Sequence, residues 1–164
     1  MAAGINFAGE YQLKELLIYT SSGNIMNLTK AVQSIDIYED MFSTALSGSI
    51  TILDIDNIVE NGPVIGQEYM TLKITTPTLD KQEINFTNSS FAIYNVSVRE
   101  AINENTQLLA LSFTSPELLR DKRIRISKSY TDSIDRIVES ILTDERYINT
   151  NKDIYIEPTA GIRK

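Results

Sequence analysis

The side chains in this chain that could do chemistry are carboxylates and hydroxyls, because its 164 residues include no histidine and no cysteine. Without histidine there is no imidazole base, so neither a Ser-His-Asp triad nor a Cys-His dyad can be assembled. Without cysteine there is no thiolate nucleophile, no thiolate zinc site and no disulfide framework. What stays open is carboxylate chemistry: an acid pair for glycoside hydrolysis, or an oxygen cage for magnesium or calcium.

Three stretches are candidates for it. Glu39-Asp40 is an adjacent acid pair, but adjacent side chains rarely converge on one substrate atom, so solvation or an ion pair with a neighbour is the better account. Asp54-Ile55-Asp56-Asn57 begins like a calcium-binding loop, yet Val59 stands where that loop requires glycine and no helix precedes it. Strand-end acids explain it. Gly62-Pro63-Val64-Ile65-Gly66 lacks the Gly-Lys-Ser/Thr ending of a phosphate loop and leads into a strand, so turn geometry is expected there. Asn27, Asn85, Asn88 and Asn95 each open an Asn-x-Ser/Thr triplet. With no secretory signal expected from MAAGINFAGEYQ, these read as chance. The eight tyrosines suit an amphipathic sheet surface. No catalytic, cofactor-binding or metal-ligating residue is assigned, no cofactor is expected, and the chain is not expected to be an enzyme.

Net charge is −7, which argues against a general nucleic-acid surface and suits a wall that nucleic acid passes without sticking. The charge is uneven. Arg120 to Lys128 (RDKRIRISK) holds five bases and one acid, a local +4, leaving −11 for the rest. This is either an edge strand blunted by charge or a basic patch that docks on the acidic face of a neighbouring copy.

The elements that must position these residues are mostly strands. Period-2 alternation or apolar runs predict strands over Tyr11–Thr20, Ile25–Leu28, Val32–Tyr38, Ser49–Ile55, Tyr69–Thr75, Glu83–Phe86, Phe91–Glu100 and Gln107–Thr114. Ser21-Ser22-Gly23-Asn24 and Asn103-Glu104-Asn105 read as hairpin turns. Pro116 starts a helical turn, and Ile124 with Ile126 reads as a small strand. One amphipathic helix follows, capped by Ser129 with Asp132, its stripe Ile134, Ile137, Val138, Ile141 and Leu142 expected to pack on the core. The tail from Ile154 to Lys164 reads as a strand that breaks off, so a longer protein is expected. The fold class is mainly β with a minor α part: an antiparallel barrel or sandwich of six to seven strands closed by one helix. The domains expected are an arm over 1–9, a β domain over 10–128, and a helix with the start of a following segment over 129–164. No apolar run approaches the roughly 18 residues of a membrane span.

Over Tyr11–Pro77 the chain resembles the N-terminal domain of the baseplate central hub protein of T4-like contractile-tailed phages. The resemblance rests on Ile37-Tyr38-Glu39-Asp40-Met41-Phe42-Ser43, Gly48-Ser49-Ile50-Thr51-Ile52-Leu53-Asp54, Pro63-Val64-Ile65-Gly66-Gln67-Glu68 and Thr76-Pro77. It continues more weakly through Phe91–Val98, Leu108–Phe113 and Glu157-Pro158-Thr159-Ala160-Gly161. It implies a tail-tube-like barrel, a structural virion protein of the tail baseplate, assembled in the bacterial cytoplasm. The family's hub carries two such barrels and forms a trimer that joins the spike to the tail tube, while DNA and tape measure pass through its lumen. A single-barrel hexameric ring subunit, such as a tail tube protein, is the variant that this chain length suggests. Self-association would use Glu39, Asp40 and Phe42 on one side and Arg120, Lys122, Arg123, Arg125 and Lys128 on the other. A monomeric β-sandwich that recognises carbohydrate or host surface is the reading from a different class.

Overall fold

The computed structural model describes residues 11–43, 45–54, 64–76, 83–103 and 106–162. The expected arm over 1–9, the loop with Asp56, Asn57, Val59 and Gly62, and Glu104-Asn105 lie outside the described residues. The chain divides into two compact units, Met1–Ser115 and Pro116–Lys164. The boundary falls before the basic stretch, not after Lys128, because Pro116 opens a helix there.

Among the described residues the first unit is an antiparallel sheet of eight strands: β1 (Gln12–Tyr19), β2 (Ile25–Asn27), β3 (Val32–Tyr38), β4 (Ser47–Asp54), β5 (Tyr69–Thr75), β6 (Ile84–Asn85), β7 (Phe91–Asn103) and β8 (Thr106–Thr114). Their spatial order is β2-β1-β5-β7-β8-β4-β3, with β6 also pairing β5. The mainly β, antiparallel class is as the sequence indicates. The closed barrel is not: the order ends on β2 and β3, which do not pair among the described residues.

The sheet is nevertheless curled. Seven strands laid flat would place β2 and β3 about 29 Å apart at the usual interstrand spacing. The chain from Asn27 to Val32 spans at most about 18 Å even when extended. It is not extended, because the Ala31 amide donates to the Leu28 carbonyl at 2.9 Å and closes a tight turn. The two ends of the sheet are therefore drawn toward each other by sequence, without a shared ladder.

The concave side holds the core. Leu16 and Ile18 of β1, Ile50 and Ile52 of β4, Met70 and Leu72 of β5 and Leu111 of β8 are buried in one cluster. Burying each such side chain contributes about 1.5–3 kcal/mol. Phe91 stands at its centre, its ring 4.9 Å from that of Phe113 and 4.8 Å from that of Phe86. Phe113 lies across Gly48, its ladder partner. A methyl group at Gly48 would overlap both that ring and the Asp36 carbonyl, so β4 can have no side chain there. On β4 the core face is Gly48, Ile50, Ile52 and Asp54, while Thr51 and Leu53 on the other face are half-buried. The simple alternation expected for β7 does not hold. Phe91, Ala92 and Ile93 are all buried, and the register shifts at three places along the strand. Bulges of this kind twist and bend a strand.

The second unit carries two helices where one was expected: α1 (Pro116–Arg123) and α2 (Ile134–Thr143). The strand expected at Ile124 and Ile126 is absent. Residues 124–130 have no ladder partner, and the basic run begins inside α1. Arg120, Lys122 and Arg123 occupy the last turn of α1, where the helix dipole favours cations. Helix α2 starts later than expected, with extended Ser133 and not Ser129 at its N-cap. Its exposed amide is satisfied from far along the chain. Thr159 Oγ1 accepts the Asp135 N–H at 3.2 Å and donates to Asp135 Oδ1 at 2.7 Å. The tail expected as a strand is thus held by side chains and forms no strand among the described residues. The apolar stripe of α2 is partly covered: Ile137, Ile141 and Leu142 are partly buried, Ile134 and Val138 are exposed, and no residue of the helix is fully buried. No described helix is long and apolar enough to cross a membrane.

Candidate functional site

In the first unit the acidic pair and Phe42 share one built turn. After β3 ends at Tyr38, the Ser43 amide donates to the Asp40 carbonyl at 3.0 Å. The Phe42 amide donates to Asp40 Oδ1 at 2.9 Å, an Asx turn. Ser43 Oγ then donates to the Ala45 carbonyl at 3.0 Å. Asp40 is thereby used as a turn former, and Glu39 is exposed, with no ion pair among the described residues. The turn pushes Met41 and Phe42 outward, 88% and 89% exposed. Two large apolar side chains at a turn apex cost hydration with no return inside this chain, which is how binding anchors look before they bind. The exposed acids Asp36, Glu39 and Asp40 precede them, and from Ala31 to Leu72 the sequence holds no base.

A second loop of the same unit is an anion cradle that is already filled. The Glu68 carboxylate, 1% exposed, accepts the amides of Ile65 (2.8 Å), Gly66 (2.9 Å) and Gln67 (3.0 Å). Gly66 has φ +89°, which bends the chain around the carboxylate and keeps Cβ off the Tyr94 carbonyl. The described part of the glycine-rich stretch, from Val64 on, is therefore a turn, while Gly62 and Pro63 lie outside the described residues. Its amides do bind an anion, and the anion is the chain's own. The loop pins the start of β5 to β7, where the Ile93 amide donates to the Glu68 carbonyl at 2.8 Å.

Two of the Asn-x-Thr triplets have a structural use that sequence reasoning missed. Asn27 Oδ1 accepts both the amide (3.1 Å) and the hydroxyl (2.7 Å) of Thr29. Asn85 Oδ1 does the same for Thr87, at 2.9 and 2.6 Å. Each motif ends a short strand, β2 or β6, and in each the intervening residue donates to a neighbouring strand: Leu28 to Leu16 and Phe86 to Leu72. The repeated N-[LF]-T pattern was the available signal.

In the second unit the basic stretch splits. Arg120 is half-buried and turned inward: its guanidinium donates to the carbonyls of Ile148 (2.9 Å) and Asn149. That holds the turn in which Asn149 takes φ +47°. Lys122, Arg123 and Arg125 are exposed and have no ion-pair partner among the described residues. Lys128 lies over the ring of Tyr130, 5.0 Å from its centre. Arg120 and Arg123 reach one open cavity of about 320 Å³, with Ile124, Arg146 and Tyr147, and Glu145 at its side. Tyr147 and Arg146 are members that the sequence did not single out, and Ile124 was expected in a strand and not in a cavity wall.

Arg146 is braced by Asp144, with Nε on Oδ1 at 3.0 Å and a terminal nitrogen on Oδ2 at 2.6 Å. Those hydrogen bonds hold the Asp144 carboxyl down at about 2 and raise Arg146 in turn. Asp135 is likewise held at about 2 by the hydroxyls of Ser133 and Thr159. At Glu117 partial burial pushes the carboxyl up, but its own amide, Lys152 and Thr150 outweigh that and leave it lowered. Lys152 Nζ is 3.0 Å from it. No group of three or more metal-capable residues occurs among the described residues. The expected contact residues thus fall into a built apolar-acidic turn (Glu39, Asp40, Phe42) and an exposed basic run (Lys122, Arg123, Arg125, Lys128), with Arg120 beneath it as a brace. The chain matches no protein-family model and no curated protein.

Proposed function

We propose that the chain is a structural, self-assembling subunit of a phage tail baseplate hub, a ring former that acts by geometry and not by catalysis. The observation that carries this reading is the curled sheet with unpaired edges. Among the described residues β3 has one neighbour, and β7 beyond Ile93 pairs only β8. Such edges are templates for a strand from another chain, and a closed ring is one way to satisfy them. The resemblance of Ile37–Ser43, Gly48–Asp54 and Pro63–Glu68 to hub N-terminal domains points the same way.

Charge supports a channel wall. The sheet unit has five bases against thirteen acids, net −8, and the helical unit ten against nine, net +1. An acidic lumen repels the phosphate backbone and lets DNA and tape measure pass. Ring neighbours would be copies of this chain, as a trimer of hub type or a hexamer of tube type. Spike and tube or tube-initiator proteins would lie above and below. The test is mass in solution with particle imaging by negative-stain electron microscopy. Rings of three or six copies support the proposal, and a strict monomer at high concentration overturns it.

A further inference from the structure

We infer that the Asp40–Ser43 turn of one copy seats in the arginine-rich cavity of a second copy. The idea rests on the self-assembling reading only in taking the partner to be this same chain. The turn presents Phe42, 89% exposed, between an acidic flank (Asp36, Glu39, Asp40) and a backbone already locked by the Asp40 Asx turn. A preordered turn loses little entropy on binding. The cavity offers the complement: Ile124 and the Tyr147 ring as apolar wall, and Arg123 as an unpaired cation at the rim. Its volume of about 320 Å³ exceeds the ~150 Å³ that takes a benzene ring.

The charges around the cavity explain why the guest should be acidic. Arg120 gives one terminal nitrogen to the Ile148 and Asn149 carbonyls and Arg146 gives two donors to Asp144, so part of their charge is already answered within the fold. Among the described residues exposed Arg123 has no ion-pair partner, which leaves it to meet the incoming Glu39 or Asp40 carboxylate. Glu145 sits on the same rim and repels a second acid, which limits the site to one acidic flank of the turn. An arginine plane also stacks well on a phenylalanine ring.

The absence of native cysteine gives a clean test. Phe42→Cys and Arg123→Cys chains are purified separately, mixed and oxidised. The contact predicts a mixed disulfide dimer well above what either variant forms alone. Equal yields with and without mixing overturn it, and so does a Phe42→Cys/Arg123→Cys double variant that cross-links only within one chain. In sedimentation, Phe42→Ser should weaken self-association about 30-fold, the size of one lost anchor. Glu39→Arg, which leaves the Asp40 turn intact, should weaken it too, and Glu39→Arg with Arg123→Glu should recover it. Wild-type rings that ignore all of these changes overturn the contact while leaving the ring. A wild-type monomer overturns both.

Discussion

Replacing Glu68 with glutamine tests whether the filled cradle sets the stability of the sheet. The native carboxylate accepts three amides, one on Oε1 (Ile65) and two on Oε2 (Gly66, Gln67), with 1% of the residue exposed. Glutamine has one acceptor oxygen. Its best orientation keeps Gly66 and Gln67 and turns the NH₂ group toward the Ile65 amide, donor against donor. That leaves one buried amide without a partner, at about 1–3 kcal/mol, and turns two charge-assisted bonds into neutral ones, at roughly 1 kcal/mol each. Relief from burying a charge offsets part of this, so the expected net loss is about 2–4 kcal/mol. Urea unfolding followed by far-ultraviolet circular dichroism at fixed protein concentration reads the change, with exposed Glu83→Gln as the control, expected within about 0.5 kcal/mol. A Glu68→Gln loss no larger than that of the control would refute the reasoning. The loop would then be held by something other than its anion.

Gly48→Ala should destabilise the sheet by about 1–3 kcal/mol through overpacking against Phe113 and the Asp36 carbonyl, and Gly48→Ala with Phe113→Leu should recover part of it in the same denaturation assay. Asn85→Ala should cost about 1 kcal/mol by freeing the Thr87 amide and hydroxyl, and Asn27→Ala about the same at Thr29, each read by thermal unfolding. Acid should loosen the helical unit. Asp135 and Asp144 sit at about 2 in the fold and near 4 when unfolded, so their stabilisation is complete above about pH 4 and lost as pH falls toward 2. Asp144→Asn should flatten that acid limb when tyrosine signals are followed from pH 5 to about 2. A limb as steep as wild type would count against the Asp144–Arg146 brace.

What sequence reading captured and what it missed divide along a physical line. The strands were legible because a half-buried strand writes itself in period 2: Met70, Leu72 and Ile74 against Tyr69, Thr71, Lys73 and Thr75 is β5 in full, although Thr71 is buried as well. Period 2 carries no information about closure, and so it left a barrel and a sandwich equally open where the sheet is curled and unclosed. The tight link between β2 and β3 was the stronger clue, because a few residues between the two end strands force a curl whether or not a ladder forms. Local hydrogen bonding was legible only where both partners were near in sequence. Asp40, Phe42 and Ser43 make such a unit; the cap of α2 does not, because Thr159 supplies it from 24 residues away.

The basic run shows the same limit at the site itself. By sequence its five bases are equivalent, and only burial separates them. Arg120 faces inward because two carbonyls need donors past the end of α2, whereas Arg123, three residues on, faces water on the last turn of α1. A charge that holds the fold and a charge free to meet a partner can thus be one helical turn apart. Arg120→Ala should therefore disturb the turn at Asn149 before it disturbs any assembly. Arg123→Ala should leave the fold intact and act on association alone, and that difference is the sharpest way to tell a structural base from a contact base here.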